Sequence, residues 1–84
     1  MLDALGSPVR RQMIGRLQKD GAMSVSKLAR PFRFKLTTAL SNVRVLEGAG
    51  IIGTHKRGRV RVCAYRKGPL KELAEYLRAK RFRL

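Results

Sequence analysis

Thr37, Thr38, Ser41 and Asn42 are short polar side chains packed into one stretch of sequence. Read at 100° per residue, Thr37, Thr38 and Ser41 share one side of a helix with Val45, and Asn42 and Arg44 lie on its shoulders. Small hydroxyls bond either base edges or phosphates, and an Asn carboxamide can pair with adenine through two hydrogen bonds. Arg30, Arg33, Lys35 and Arg44 surround this group and suit phosphate contacts. A second basic set, His55, Lys56, Arg57, Arg59 and Arg61, flanks a Gly58 turn that can follow a backbone or enter a minor groove. The chemistry on offer is hydrogen-bond reading inside a cationic frame. The plainer alternative for each residue is a solvated helix face or solubilising charge.

Other chemistries are poorly supplied. The chain has one His, one Cys and five acids, scattered singly. No pair has the spacing of an acid–base or nucleophile–base constellation, so no enzyme site is expected. The lone Cys63 excludes an intramolecular disulfide and a Cys-rich zinc site. It reads as a small packed hydrophobe, with a redox-active thiol as the alternative should Arg61 and Arg66 lower its pKa. His55 reads as a surface residue or a phosphate contact, not a metal ligand.

The 84 residues carry a net charge of +15. Such a chain repels itself and attracts polyanions, nucleic acid first and an anionic membrane surface second. The basic residues are spread over turns and a hairpin instead of one amphipathic face, which argues against a membrane. No apolar run approaches the roughly 18 residues of a span, and the first residues lack the pattern of a signal peptide. A cytoplasmic protein is expected. A chain this short buries only about 60–65% of its unfolded surface, so a second copy would add useful burial.

The elements that position these residues are legible as one small domain over 1–84. Met1 to Leu5 reads as a short helix end. Ser7-Pro8 is a helix start, followed by Val9, Met13, Ile14 and Leu17 at helical spacing and closed by Asp20-Gly21. Ala22-Met23 reads as a minimal strand. Ser24 caps a helix over Val25 to Arg30 that faces Val25, Leu28 and Ala29 inward, and Pro31 stops it. Phe32 and Phe34 flank a turn. A helix over about 35–48 should bury Leu36, Ala39, Leu40, Val43 and Leu46 and end at Ala49-Gly50.

Ile51 to Lys56 and Val60 to Tyr65 form a hairpin around Arg57-Gly58, the wing over about 51–65. Alternation in its second strand predicts a basic face (Arg59, Arg61, Cys63) and an apolar one (Val60, Val62, Ala64). Gly68-Pro69 opens a last helix over about 69–82, with Leu70, Leu73 and Leu77 in a stripe that is ordinarily core. The expected fold is mainly α with a small β-hairpin, in the order α-α-β-α-α-β-β-α.

Four stretches, in order along nearly the whole chain, resemble the ArsR-type winged-helix repressors, especially their small metal-independent members. Ala4-Leu5-Gly6-Ser7-Pro8-Val9-Arg10-Arg11 is similar to the family's "AL-(A/S)-DP-x-RR" opening. Lys27-Leu28-Ala29-Arg30-Pro31-Phe32 is similar to its "LA-x-PF". Val45-Leu46-Glu47-Gly48-Ala49-Gly50-Ile51-Ile52 is similar to "VLE-x-AGL(V/I)". Arg57-Gly58-Arg59 stands in the wing, followed by Gly68-Pro69-Leu70. The subgroup's Ser-x-His-Leu run is replaced by Leu40-Ser41-Asn42-Val43, its Pro near the helix start by Thr37, and its capping Ser or Thr by Lys35. Any base preference is therefore this chain's own.

The resemblance implies a winged helix-turn-helix that binds double-stranded DNA. Its second motif helix would enter the major groove. The resemblance also implies a homodimer built on the last helix and the N-terminal segment, here Leu2, Leu5, Leu70, Leu73 and Leu77. Metal-sensing relatives carry Cys pairs in the helix before the recognition helix, or His and carboxylates on the last helix. Val25 to Arg30 holds no Cys, and the last helix offers only Glu72 and Glu75, so neither a metal nor a cofactor is expected. The expected function is a homodimeric repressor reading an imperfect palindrome in a prokaryotic cytoplasm. The alternative is a nonspecific nucleic-acid protein, either architectural on DNA or RNA-binding.

Overall fold

The computed structural model describes residues 2–82, with side chains described as far as Ala79. The chain runs α1 (Leu2–Leu5), α2 (Pro8–Asp20), β1 (Met23–Ser24), α3 (Val25–Ala29), a 3-10 turn (Arg30–Phe32), α4 (Leu36–Gly48), β2 (Ile52–Arg57), β3 (Val60–Tyr65) and α5 (Lys67–Phe82). The mainly helical composition and the element order match the sequence reading. Among the described residues, no helix is long and apolar enough to cross a membrane.

Local chemistry sets the boundaries. The Ser7 hydroxyl accepts the Arg10 N–H at 3.3 Å and Pro8 occupies the first turn of α2. Ser24 caps α3 in the same way, accepting the Lys27 N–H at 3.1 Å. The α-helix of α3 ends at Ala29, one residue before the expected Arg30. Pro31 leaves Arg30 with helical angles (φ −52°, ψ −45°), although a proline ordinarily pushes the residue before it out of that region. It sits inside the 3-10 turn, which needs fewer α-type backbone bonds, and Arg33 then adopts a left-handed φ of 55°. Phe32 and Phe34 stack across this turn, ring centroids 5.4 Å apart. At the end of α4, Gly50 turns left-handed (φ 77°) and the Ile51 N–H returns to the Leu46 carbonyl at 3.0 Å.

The strand next to α3 does more than the sequence suggests. It spans Met23–Ser24 and pairs antiparallel with β3, giving a three-stranded sheet in the order β1-β3-β2. Met23 lies opposite Cys63, and Cys63 opposite Thr54, on one face. The core joins α2, α3, α4 and this sheet, with Met13, Leu28, Leu46, Ile51 and Cys63 fully enclosed.

Three expectations need correction. The basic and apolar faces of β3 are not divided as the alternation predicted. Cys63 is in the core, Val62 and Ala64 are half-buried, and Val60 is 48% exposed. Register with Met23 decides which parity faces the helices, and Arg61 shares the Cys63 face only beyond the edge of the core. Leu36 has the phase of the buried stripe of α4 yet is 56% exposed, because the stripe runs out of neighbours at the first turn. The wing loop is Gly58-Arg59, one residue later than expected. β2 extends through Arg57, which pairs with Val60, and Gly58 supplies the positive φ (63°) that a two-residue loop requires.

Candidate nucleic-acid interface

α4 presents two chemically distinct sides. Ala39, Val43 and Leu46 are buried against the core, while Thr37, Thr38, Ser41, Arg44 and Val45 are exposed. The exposed side is polar and nearly uncharged. Arg30 and Arg33 on the turn before it, and Lys35 at its N-cap, are all exposed and surround its entry. Lys35 makes no side-chain capping bond, whereas a Ser or Thr hydroxyl at such a position accepts from a backbone N–H of the first turn.

Asn42 is placed differently from its three companions. It is half-buried, its Oδ1 accepts from Arg10 Nη1 at 3.2 Å, and its Nδ2 donates to the Thr38 carbonyl at 3.0 Å. The carboxamide is engaged at both ends. Reaching an adenine edge requires exchanging these bonds.

Arg10 ties α1 to α4, a structural role that its place on the helical wheel does not announce. Besides Asn42, it donates from Nε to the Ala4 carbonyl (2.8 Å) and from Nη2 to the Asp3 carbonyl (3.1 Å). One guanidinium thus closes the C-terminal end of α1 and holds the middle of α4. Arg11 likewise donates to the Leu5 carbonyl at 2.6 Å, and Arg16 to the Lys27 carbonyl at 3.1 Å. Arg10 and Arg11 close the resembling stretch and Arg16 lies beyond it; their carbonyl partners sit on α1 and α3, which spacing along α2 does not reveal.

The wing residues His55, Lys56, Arg57, Arg59 and Arg61 are all exposed. Arg61 is also tethered. Its Nη1 donates to Thr54 Oγ1 at 3.0 Å, and the Thr54 hydroxyl donates to the Glu47 carboxylate. Glu47 lies in the last turn of α4 and Thr54 on β2, so this chain of bonds sets the wing relative to α4. Glu47 is the only acid between Asp20 and Glu72, and it is spent on an internal contact.

Cys63, beneath the wing, is fully enclosed. Burial, reinforced by the Glu47 charge and only partly offset by Arg61, raises its thiol to about 11. A protonated, enclosed thiol packs as a small hydrophobe and lacks the thiolate character and exposure that reactive cysteines carry. The arginine effect raised as the alternative reading exists, but desolvation outweighs it.

A helix-turn-helix with an exposed polar second helix, followed by a cationic β-hairpin, defines a DNA-binding regulator of the winged-helix class. Residues 5–54 match a helix-turn-helix domain family. The structure superimposes on an ArsR family transcriptional regulator with a TM-score of 0.89 and 40% identity, covering 95% of this chain and 87% of that one. It is also similar to a possible transcriptional regulator for arsenical resistance (TM-score 0.83, 27% identity, 93% of this chain and 80% of that one). A third likeness, of fold alone, is to the homodimeric winged helix-turn-helix DNA-binding domain of a Mycobacterium bovis fragment (TM-score 0.73, 22% identity, 92% of this chain and 70% of that one). No curated protein matches the sequence significantly. The chain belongs to the ArsR family of helix-turn-helix transcriptional regulators, which are not enzymes.

Proposed function

We propose that the protein is a homodimeric transcriptional repressor that reads an imperfect palindrome in double-stranded DNA, in a prokaryotic cytoplasm. The observation that carries this reading is the nearly neutral polar face of α4 inside a cationic frame. A surface built only for adhesion to polyanions would place charge at its centre. Thr37, Thr38 and Ser41 contact base edges or the groove, and Asn42 joins them when it releases Arg10. Arg30, Arg33, Lys35 and Arg44 hold phosphates, and the wing set His55, Lys56, Arg57, Arg59 and Arg61 follows the flanking backbone or minor groove. The 84 residues act as one winged domain without a metal or cofactor.

The dimer forms through α1 and α5. Leu2 is 65% and Leu77 50% exposed, with Leu5, Leu70 and Leu73 half-buried beside them in sequence. Exposed leucines on a small basic domain fit burial against a second copy, and the M. bovis domain of like fold is homodimeric. Two copies of α4 would then lie about 34 Å apart on one DNA face. Repression follows from occluding the polymerase.

The test is selection of bound duplexes from a random pool at moderate salt, with the molecular mass followed by sedimentation. A repressor of this kind enriches a two-fold symmetric site as a dimer. With six to ten phosphates held, affinity falls about 10³–10⁵-fold between roughly 50 and 200 mM salt. Equal binding to random duplex and single-stranded RNA, or a monomer at all workable concentrations, overturns it. Tyr65, the aromatic of the wing strands, packs against the core, which removes a stacking platform from the RNA-binding alternative.

A further inference from the structure

Leu36 is the first residue of α4, and the structure leaves it 56% exposed while the rest of that apolar stripe is enclosed or half-buried. It forms a ridge between two clefts. Arg30 and Arg33 line one, at the motif turn. Leu40, Val60 and Arg61 line the other, between α4 and the wing. The described residues lining both clefts include no acid.

An apolar ridge between arginine-lined clefts suits a polyanion that carries an isolated apolar group. In the major groove of DNA that group is the C5 methyl of thymine. Leu36 also directly precedes Thr37 and Thr38, and the N-terminal residues of such a helix are those that meet base edges. We infer that Leu36 is a specificity-determining residue that seats a thymine methyl, with Val60 closing the same apolar spot from the wing. This rests on the reading of α4 as the helix that enters the major groove. It deepens that reading by naming a base and the atom on it.

The experiment uses a duplex enriched from a random pool. Each thymine is replaced in turn by deoxyuridine, which removes only the C5 methyl. Dissociation constants are measured for the wild-type chain, Leu36→Ala and Leu36→Gln, with thermal melting to establish that each variant folds. At one thymine per half-site, the wild type should lose about fourfold in affinity, the value for one desolvated methyl group. Both variants should be insensitive at that position. Wild-type indifference to every replacement, or unchanged methyl sensitivity in whichever variant folds, overturns the inference while leaving sequence-specific binding intact. Failure to enrich any duplex overturns the underlying reading and this inference with it.

Discussion

α4 and α5 look alike as sequences and behave differently as structures. Each carries an apolar stripe at helical spacing and basic residues on its flanks. α4 closes its stripe against α2, α3 and the sheet, so Ala39, Val43 and Leu46 lose nearly all solvent contact. α5 begins on the core at Leu70 and then leaves it. Leu77 and Tyr76 are half or more exposed, and the molecule is drawn out to 48 × 22 × 21 Å. Periodicity reports that a helix has an apolar side. It does not report whether the partner for that side lies in the same chain.

The contrast can be broken most directly in α4. Leu46→Ala removes an enclosed side chain and should cost about 2–5 kcal/mol in urea denaturation. A loss under about 1 kcal/mol would mean the stripe of α4 is no better packed than that of α5. The core beneath the wing gives the next effect. The Cys63 thiol is raised from 9.0 to about 11. As pH rises past 9 the unfolded chain releases this proton and the folded chain keeps it, so stability declines between those values by roughly 2–3 kcal/mol. Below pH 9 the group has no effect. Cys63→Ala should abolish this component of the alkaline decline, and in the folded wild type the thiol should resist alkylation near neutral pH.

Arg10→Ala should cost about 1–2 kcal/mol, by releasing Asn42 and the carbonyls of α1 together. Amide exchange in the middle of α4 should rise with it, and a change confined to α1 would show that the tie does not restrain α4. At the uncapped start of α4, Lys35→Ser should stabilise the fold by about 0.5–1 kcal/mol. The same change should weaken DNA binding by removing a cation. The smallest change in folding is expected on α5. Leu77→Ala should alter the stability of the dilute chain by less than about 0.5 kcal/mol, yet raise the dissociation constant of the dimer in sedimentation. An intramolecular cost equal to that of Leu46→Ala would erase the distinction between the two helices.

Which residues of α4 lie outward is readable because it depends on local rules. The polar run Thr37, Thr38, Ser41 lies outward because Ala39, Val43 and Leu46 must lie inward. Gly50 and the Ser7 and Ser24 caps mark helix ends through backbone bonds that need no distant partner. Apart from the one-residue shift of the wing loop and the turn around Pro31, the differences are non-local. Leu36 has the right phase for burial, but nothing packs over the first turn of α4. Val60 and Cys63 differ by parity alone, and parity is settled only when β3 meets β1. Asn42 is held by Arg10, 32 positions earlier in the chain, a contact that no local pattern reveals.

By itself the sequence determined the order of elements, the polar outer face of α4, the cationic residues around it and the family, because spacing, capping and composition act within a few residues. The tertiary structure alone decided which face of the sheet is core, which leucines stay exposed, and how Arg10 and the Arg61–Thr54–Glu47 bonds join α1, α4 and the wing. Those outcomes depend on which surfaces meet across long separations in the chain. The same apolar or charged side chain is core, contact or tether according to what the fold brings against it.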